Sequence, residues 1–195
     1  NKRNGMANYI QQFEQTIRKL DNNKTFFDTK AFPWADEVEA YWPLIRQELD
    51  QLLKCIDLLP SMEEIQYRAQ EISNDKRWKI FPLYAYGNKM EVNEKRFPHT
   101  TDALRKIPHM RAAMFSIIQA KKSIPPHVGP YAGVLRYHLG VKVPANNQCG
   151  ITIGEDTAYW EEGKSLIFDD SQLHHAWNNS DEDRVILFVD FTRPL

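Results

Sequence analysis

Three of the chain's six histidines stand in surroundings that could do chemistry. His127 lies in Pro125-Pro-His-Val-Gly-Pro-Tyr131, which reads as a rigid loop leading into a strand. His174 follows 47 residues later, behind Phe168-Asp-Asp-Ser-Gln-Leu. Two neutral imidazoles brought together on a β scaffold can hold a divalent metal such as Fe(II). A mononuclear iron oxygenase usually adds a carboxylate two residues after its first histidine. Here that position is Gly129, so a third protein ligand is missing and water or substrate would fill the coordination site. His-x-Gly alone has almost no specificity, and a lone histidine in a strand-rich region is most often structural or solvated.

The arginines add independent support. Arg136 and His138 are two apart, so on a strand they share one face. Arg184 opens a run whose same face carries Ile186 and Phe188. A guanidinium pointing into an apolar sheet interior costs several kcal/mol, on the order of the effective penalty for a buried ion, unless an anion meets it. A structural carboxylate such as Asp169, Asp170 or Asp190 is one partner. A bound dicarboxylate is the other, since a guanidinium matches carboxylate geometry bidentately. Two histidines plus inward arginines thus point to a metal site that also binds an acid, against a structural ion-pair network.

The elements that must position these residues change character near residue 110. Residues 8–20 carry Tyr9, Ile10, Phe13, Ile17 and Leu20 at helical spacing, as residues 42–55 carry Trp42, Ile45, Leu49, Leu52 and Leu53. The first helix is expected to pack on its own domain; a juxtamembrane helix is the sharper alternative. Residues 28–34 read as a loop in which Pro33 resists a helix. A less regular helical stretch is expected around 61–73, and a short helix over 100–110 capped by Thr100 or Thr101. Beyond it the period becomes two, over 112–120, 133–143, 151–153, 165–168 and 184–191. Pro125-Pro126, Pro144-Ala-Asn-Asn147 and Glu161-Glu-Gly163 punctuate these strands as turns. Short strands at such spacing point to an all-β sandwich or barrel of jelly-roll type. The whole chain, 1–195, reads as one domain, with a helical, substrate-side portion over 1–110 and a β core carrying the metal site over 111–195.

Composition bounds the function without naming it. The 195 residues carry 25 Lys+Arg against 26 Asp+Glu, a near balance unlike that of a dedicated nucleic-acid binder. No apolar run reaches the length needed to span a bilayer. Cys55 and Cys149 are too few for a disulfide framework or a cysteine-rich zinc site. The chain begins at Asn1 without a visible signal peptide, and the expectation is that an upstream segment was removed or not included. The expected localisation is cytoplasmic, with a membrane anchor in that absent segment as the second option.

Six short motifs occur in a fixed order: Ala113-Met-Phe-Ser116, Pro126-His-Val-Gly-Pro-Tyr131, Leu135-Arg-Tyr-His-Leu-Gly140, Trp160-Glu-Glu-Gly163, Phe168-Asp-Asp-Ser171 with His174, and Arg184-Val-Ile-Leu-Phe-Val-Asp190. Each is unspecific alone; the ordered set over Ala112–Leu195 resembles the aspartyl/asparaginyl β-hydroxylase family. That family includes the vertebrate hydroxylases of EGF-like domains and the bacterial lipid A hydroxylases. Upstream the likeness is looser, mainly in Phe26–Trp34, Trp78–Gly87 and Ile107-Pro108.

The resemblance implies a double-stranded β-helix flanked by helices and a dioxygenase that uses Fe(II), 2-oxoglutarate and O2. It implies His127 and His174 as the iron ligands. His175, adjacent, would face the other side of a strand. It implies Arg184 on the distal carboxylate of 2-oxoglutarate, Arg136 and His138 near its other end, Ser116 as a further contact, and an aromatic residue from Trp78–Tyr86, with Tyr84 preferred. Gly129 resembles the vertebrate enzymes, whereas the run 129–140 is closer to the bacterial ones. An iron halogenase, which also has glycine there, fits the surrounding motifs poorly. The implied reaction is hydroxylation of an unactivated C–H bond, on the β-carbon of an Asp/Asn-type residue, a small molecule or an acyl chain. The partner is accordingly a peptide, small-molecule or lipid substrate and no nucleic acid. A non-catalytic β-barrel that binds an acidic ligand and a cupin enzyme without 2-oxoglutarate are the competing functions.

Overall fold

Along Arg184–Thr192 both the odd and the even positions are apolar for most of its length, and all but the last residue are buried. Such a strand needs cover on both faces, and the fold supplies it. The structure, a computed structural model, describes residues 2–85, 88–89 and 91–195. The strands are β1 (Phe26–Phe27), β2 (Trp78–Ala85), β3 (Asn88–Lys89), β4 (Met110–Ile118), β5 (Ser123–His127), β6 (Val134–Lys142), β7 (Cys149–Ile153), β8 (Asp156–Tyr159), β9 (Ser165–Phe168), β10 (His174–Asn178) and β11 (Arg184–Thr192). Among the described residues they form a seven-stranded sheet in the order β1-β9-β6-β11-β4-β2-β3 and a four-stranded sheet in the order β5-β10-β7-β8. All the pairings are antiparallel, and the two sheets face each other as a cupin-like jelly roll.

β11 lies at the middle of the larger sheet, bonded to β4 on one side and β6 on the other. Its odd residues, Val185, Leu187, Val189 and Phe191, enter a core shared with the helices. Its even residues point toward the smaller sheet, where Ile186 and Phe188 join a second core. The helices are α1 (Lys2–Leu20), α2 (Trp34–Ala40), α3 (Trp42–Leu53), α4 (Met62–Ile65), α5 (Glu91–Arg96) and α6 (Pro98–Leu104). Ala35 and Val38 of α2, Ile45 and Leu49 of α3, and Ala103 and Leu104 of α6 are buried in the first core. α2, α3 and α6 thus pack on one face of the larger sheet, while Met62 of α4 packs against Ile80 on the other, beside the space between the sheets.

Several elements differ from the sequence expectation, each for a physical reason. Residues 78–85, placed in the helical half by the change of period near 110, form β2 and pair along β4. Pro33 does not prevent a helix; it precedes α2, at the one end where a missing N–H costs nothing. The stretch 61–73 breaks into the short α4 and a 3-10 turn over Tyr67–Glu71, because Gln66 between them is extended. A Ser61–Glu64 capping box starts α4. The helix expected over 100–110 runs instead over α6, with Pro98 in its first turn. Thr100 is inside it, not at its cap. The Glu48 carboxylate of α3 accepts from the Thr100 backbone N–H at 2.7 Å and from its hydroxyl at 2.8 Å. That capping group comes from 52 residues away, so no local signal marks it. Pro125 and Pro126 lie within β5 rather than in a turn, which is tolerable because β5 is an edge strand.

Leu187 is fully buried at the centre of the larger sheet. Leu187→Ala should lower stability by about 2–5 kcal/mol, the usual range for a truncated core leucine. Urea unfolding followed by circular dichroism would measure it, and a loss below ~1 kcal/mol would contradict the placement of this strand.

Candidate active site

β10 and β5 pair so that His174 stands directly opposite His127. Opposed residues on neighbouring antiparallel strands share a face, and the two imidazoles approach with ring centroids 4.2 Å apart. Each ring is oriented by a backbone carbonyl two residues earlier. His127 Nδ1–H donates to the Pro125 carbonyl and His174 Nδ1–H to the Gln172 carbonyl, both at 2.8 Å. With Nδ1 protonated, Nε2 keeps its lone pair free for a ligand. Both rings are held neutral: burial lowers the pKa of His127, and burial followed by the charge of His127 pushes His174 down to about 4. His175 lies on the outer face beside Trp177, with ring centroids 5.6 Å apart. Among the described residues no third His, Cys, Asp or Glu completes a metal cluster with the pair.

Both sheets line the pocket that these rings enter. Ser116, Arg136, His138 and Arg184 come from the larger sheet, His127 and His174 from the smaller one, and Trp78, Trp160, Phe168, Ile186 and Phe188 add apolar walls. At its base Arg184 is 1% exposed. It donates from Nη2 to the Ser116 carbonyl at 3.2 Å and to the Ser116 hydroxyl at 3.3 Å, and stacks over Trp160 at 4.4 Å. Its Nε has no hydrogen-bond partner, and among the described residues no carboxylate pairs with it. Burial pushes its pKa down to about 9, which still leaves it cationic at neutral pH. His138 accepts from Trp160 Nε1–H through Nδ1 at 3.2 Å, so its own proton sits on Nε2, which lacks a partner. Burial, reinforced by Arg136 and Arg184, keeps this ring neutral as well. A buried guanidinium, an unpartnered imidazole N–H and a hydroxyl thus line one pocket, groups whose chemistry suits an anion.

The other arginine answers to the structural alternative. Arg136 donates from Nε and Nη2 to the two Asp190 oxygens at 2.8 and 3.1 Å, and its Nη1 lies 2.8 Å from Asp170 Oδ2. It lines the pocket, yet its charge is met by carboxylates of the protein.

Asp170, one of the carboxylates that the sequence offers as a partner for an inward arginine, pairs with Arg136 and also bears on Gly129. The Gly129 N–H donates to the Asp170 carbonyl at 2.8 Å, and a Cβ on residue 129 would stand 2.0 Å from Asp170 Oδ2. The space that a carboxylate at 129 would use is occupied by Asp170. Burial raises the Asp170 pKa to about 6, opposed by Arg136 and assisted by Asp190 and Asp169. Asp169 is structural: its carboxylate accepts from Ser171 and from the buried Arg193.

Tyr84 does not reach the pocket. Counting by twos from Trp78 puts it on the pocket face, but a bulge between Pro82 and Tyr84 shifts the register. Tyr84 therefore pairs with Ala113 and packs in the core beneath the helices. The aromatic contact on this strand is Trp78, which lines the pocket and donates Nε1–H to the Ser116 hydroxyl at 3.0 Å. The remaining residues of that segment, Tyr86 and Gly87, lie outside the described residues.

Two measurements check this geometry. Ring carbon–proton NMR of the metal-free protein should show His174 titrating near 4; a midpoint at the ordinary 6.5 would overturn its burial. Its folded pKa is depressed, so the stability it contributes is present above 6.5 and is lost as pH falls through the window down to about 4. Gly129→Asp should not supply a third ligand but destabilise the protein by about 1–3 kcal/mol through overpacking. Adding Asp170→Ala should recover part of that loss in the melting temperature, because the clashing carboxylate is gone. Strictly additive losses would show that the two positions do not compete.

The chain is similar to known proteins over most of its length. The family model described as aspartyl/asparaginyl beta-hydroxylase matches residues 39–194. An ornithine lipid ester-linked acyl 2-hydroxylase of Rhizobium tropici is 47% identical over 174 residues, covering 89% of this chain and 62% of that protein. The human aspartyl/asparaginyl beta-hydroxylase is 33% identical over 183 residues, covering 85% of this chain and 23% of that protein. The chain therefore spans less than two thirds of the length of either relative. Among solved structures, a cupin domain of an XRE family transcriptional regulator from Enterobacter cloacae aligns at a TM-score of 0.43 and 10% identity, over 60% of this chain and 99% of that one. With the family model matching most of its length, the chain belongs to the aspartyl/asparaginyl β-hydroxylase family.

Proposed function

We propose that this chain is the catalytic portion of an Fe(II)- and 2-oxoglutarate-dependent dioxygenase that hydroxylates an unactivated C–H bond of a lipid acyl chain. One observation carries the reading: Arg184, buried and without a carboxylate partner among the described residues, shares a largely apolar pocket with two neutral imidazoles whose Nδ1 atoms are bonded to backbone carbonyls. An isolated buried cation is costly, and a dicarboxylate co-substrate would relieve it. The acyl chain is preferred over an Asp/Asn side chain because the relative that is 47% identical is named for an acyl hydroxylation. The residues beside the two histidines, Val128 and Leu173, are apolar and 61% and 58% exposed, which suits an aliphatic substrate.

The donor set fits both groups. His127 and His174 would hold iron, and Gly129 leaves room for ligands that the protein does not supply. With 2-oxoglutarate and O2, iron supplies the oxidation that converts C–H to C–OH, 2-oxoglutarate leaving as succinate and CO2. Arg184 binds and orients the distal carboxylate, assisted by the Ser116 hydroxyl that Trp78 holds in place. His138 offers its Nε2–H toward the co-substrate, with Trp160 setting the tautomer. Arg136 serves by position: it anchors Asp170 beside Gly129 and keeps the Asp170–Asp190 pair from repelling. Phe168, Ile186 and Phe188 exclude water from the bound co-substrate.

The test is succinate release with ester-linked acyl lipids, β-carboxyl peptides and free amino acids as prime substrates, using the Fe(II)-loaded protein. Succinate coupled to the acyl lipid is expected. His174→Ala should abolish it, and persistence would overturn the ligand assignment. Arg184→Ala should raise the 2-oxoglutarate requirement roughly 10–100-fold, the worth of a lost charge-assisted contact. An unchanged requirement would count against that role. Fe(II) and 2-oxoglutarate should raise the melting temperature together. Metal stabilisation without any 2-oxoglutarate effect would favour a different cupin chemistry, and no response to either a non-catalytic binding module.

A further inference from the structure

α1 is a long helix whose described side chains are exposed over residues 5–13 and meet the rest of the protein from Glu14 onward. Met6, Tyr9, Ile10 and Phe13 fall at helical spacing on one stripe, and they are 64%, 69%, 46% and 41% exposed. The same stripe continues to Ile17, which is buried at 4%. Its last turns therefore pack and its first turns stand free. A helix of this length is marginal in water unless its apolar face is covered.

The root of α1 is tied to both loops that carry the histidines. The Ala132 N–H, in the loop after His127, donates to Glu14 Oε1 at 3.0 Å. Gln172, two residues before His174, donates to the Lys24 carbonyl at 2.8 Å in the turn that follows α1. The free stripe thus extends from the same rim on which Val128 and Leu173 are exposed.

The charges around the stripe select its occupant. The sequence of α1 holds Lys2, Arg3, Arg18 and Lys19 against one acid, Glu14. Lys19 and Lys24 are exposed, while Asp21, close by, is paired with Arg193 at 2.9 Å. An apolar stripe with two aromatic residues, Tyr9 and Phe13, and exposed bases near its root is the pattern of a helix lying in a bilayer interface. A stripe of four residues falls short of the roughly 800 Å² per partner of a standard protein interface, which disfavours a second copy. Among the described residues no helix is long and apolar enough to cross a membrane, so contact would be with the surface.

We propose that α1 is an interfacial helix: Met6, Tyr9, Ile10 and Phe13 seat in the surface of an anionic phospholipid bilayer, with Val128 and Leu173 at its edge, so that an acyl chain passes from the membrane into the pocket between His127 and His174. This rests on the acyl-lipid reading above and adds where that substrate is taken from. Lys19 and Lys24 meet the headgroup charge, and the binding is accordingly salt-sensitive.

The experiment is cosedimentation of the full chain with vesicles of phosphatidylcholine alone and of phosphatidylcholine mixed with phosphatidylglycerol, at low and high salt. Binding to the anionic vesicles only, weakened by salt, is expected. The double variant Ile10→Glu, Phe13→Glu should weaken it at least about tenfold, since two side chains leave the interface. Its melting temperature should hold, because these residues are exposed. Should that variant fold poorly, Lys19→Gln, Lys24→Gln should weaken anionic binding and flatten its salt dependence without touching the stripe. Absence of vesicle binding, or equal binding by both variants, overturns the proposal. So does a concentration-dependent dimer that the double variant dissolves, which would place a second copy on the stripe. Succinate release on a detergent-dispersed acyl lipid separates the two readings. Turnover without vesicle binding defeats only the docking, and vesicle binding without turnover on any prime substrate defeats the chemistry beneath it.

Discussion

Arg184 is a guanidinium with almost no exposure, two contacts to Ser116, an indole face beneath it and no carboxylate beside it. Such a group is tolerable only where the surrounding structure is strong enough to hold it. Its strand answers that need. β11 is paired on both edges and buried on both faces, so the charge sits on the most constrained segment of the molecule. The stacking on Trp160 and the hydroxyl of Ser116 soften the cost without neutralising the cation. What remains is a standing attraction for an anion at the base of the pocket.

The rest of the site is arranged around that imbalance. Arg136 lines the same pocket, yet Asp190 and Asp170 meet its charge. Two similar arginines are thus divided in role by the carboxylates that their neighbours do or do not supply. Burial, reinforced by the charges of the two arginines, keeps His138 neutral between them. Its tautomer is set by Trp160, which also lies under Arg184. One indole therefore positions two polar groups of the pocket.

At the other end of the pocket, the edge strand β5 and its neighbour β10 bring His127 and His174 together, and backbone carbonyls hold both rings through Nδ1. The glycine at 129 is explained by crowding. Asp170 fills the adjoining space, and the backbone N–H of Gly129 is bonded to its carbonyl. A carboxylate is present near this position, but it is delivered by the loop before β10 and held by Arg136. α2, α3 and α6 pack against the far face of the larger sheet, α4 covers Ile80 on the near face, and the C-terminal end of α1 is bonded to the loop after His127.

Much of this was legible in the sequence. Period-two alternation disclosed β4, β6 and β11, put Arg136 and His138 on one face and turned Arg184 inward, and the resemblance to the family added Ser116. The ordered motifs singled out His127 and His174, and the one-residue offset separated His174 from His175. These features are local, because the pleat of a strand is a property of its own residues. What only the tertiary structure decided is non-local. The Pro82–Tyr84 bulge, which exchanges Tyr84 for Trp78, depends on pairing with β4. The cap of α6 comes from Glu48 on another helix. The pairing of Arg136 with Asp190 and Asp170, and the absence of such a partner for Arg184, depend on which strands lie side by side. Sequence spacing determines which face a side chain takes; only the packing of sheets decides which charges meet, because burial and pairing are properties of neighbours far apart in the chain.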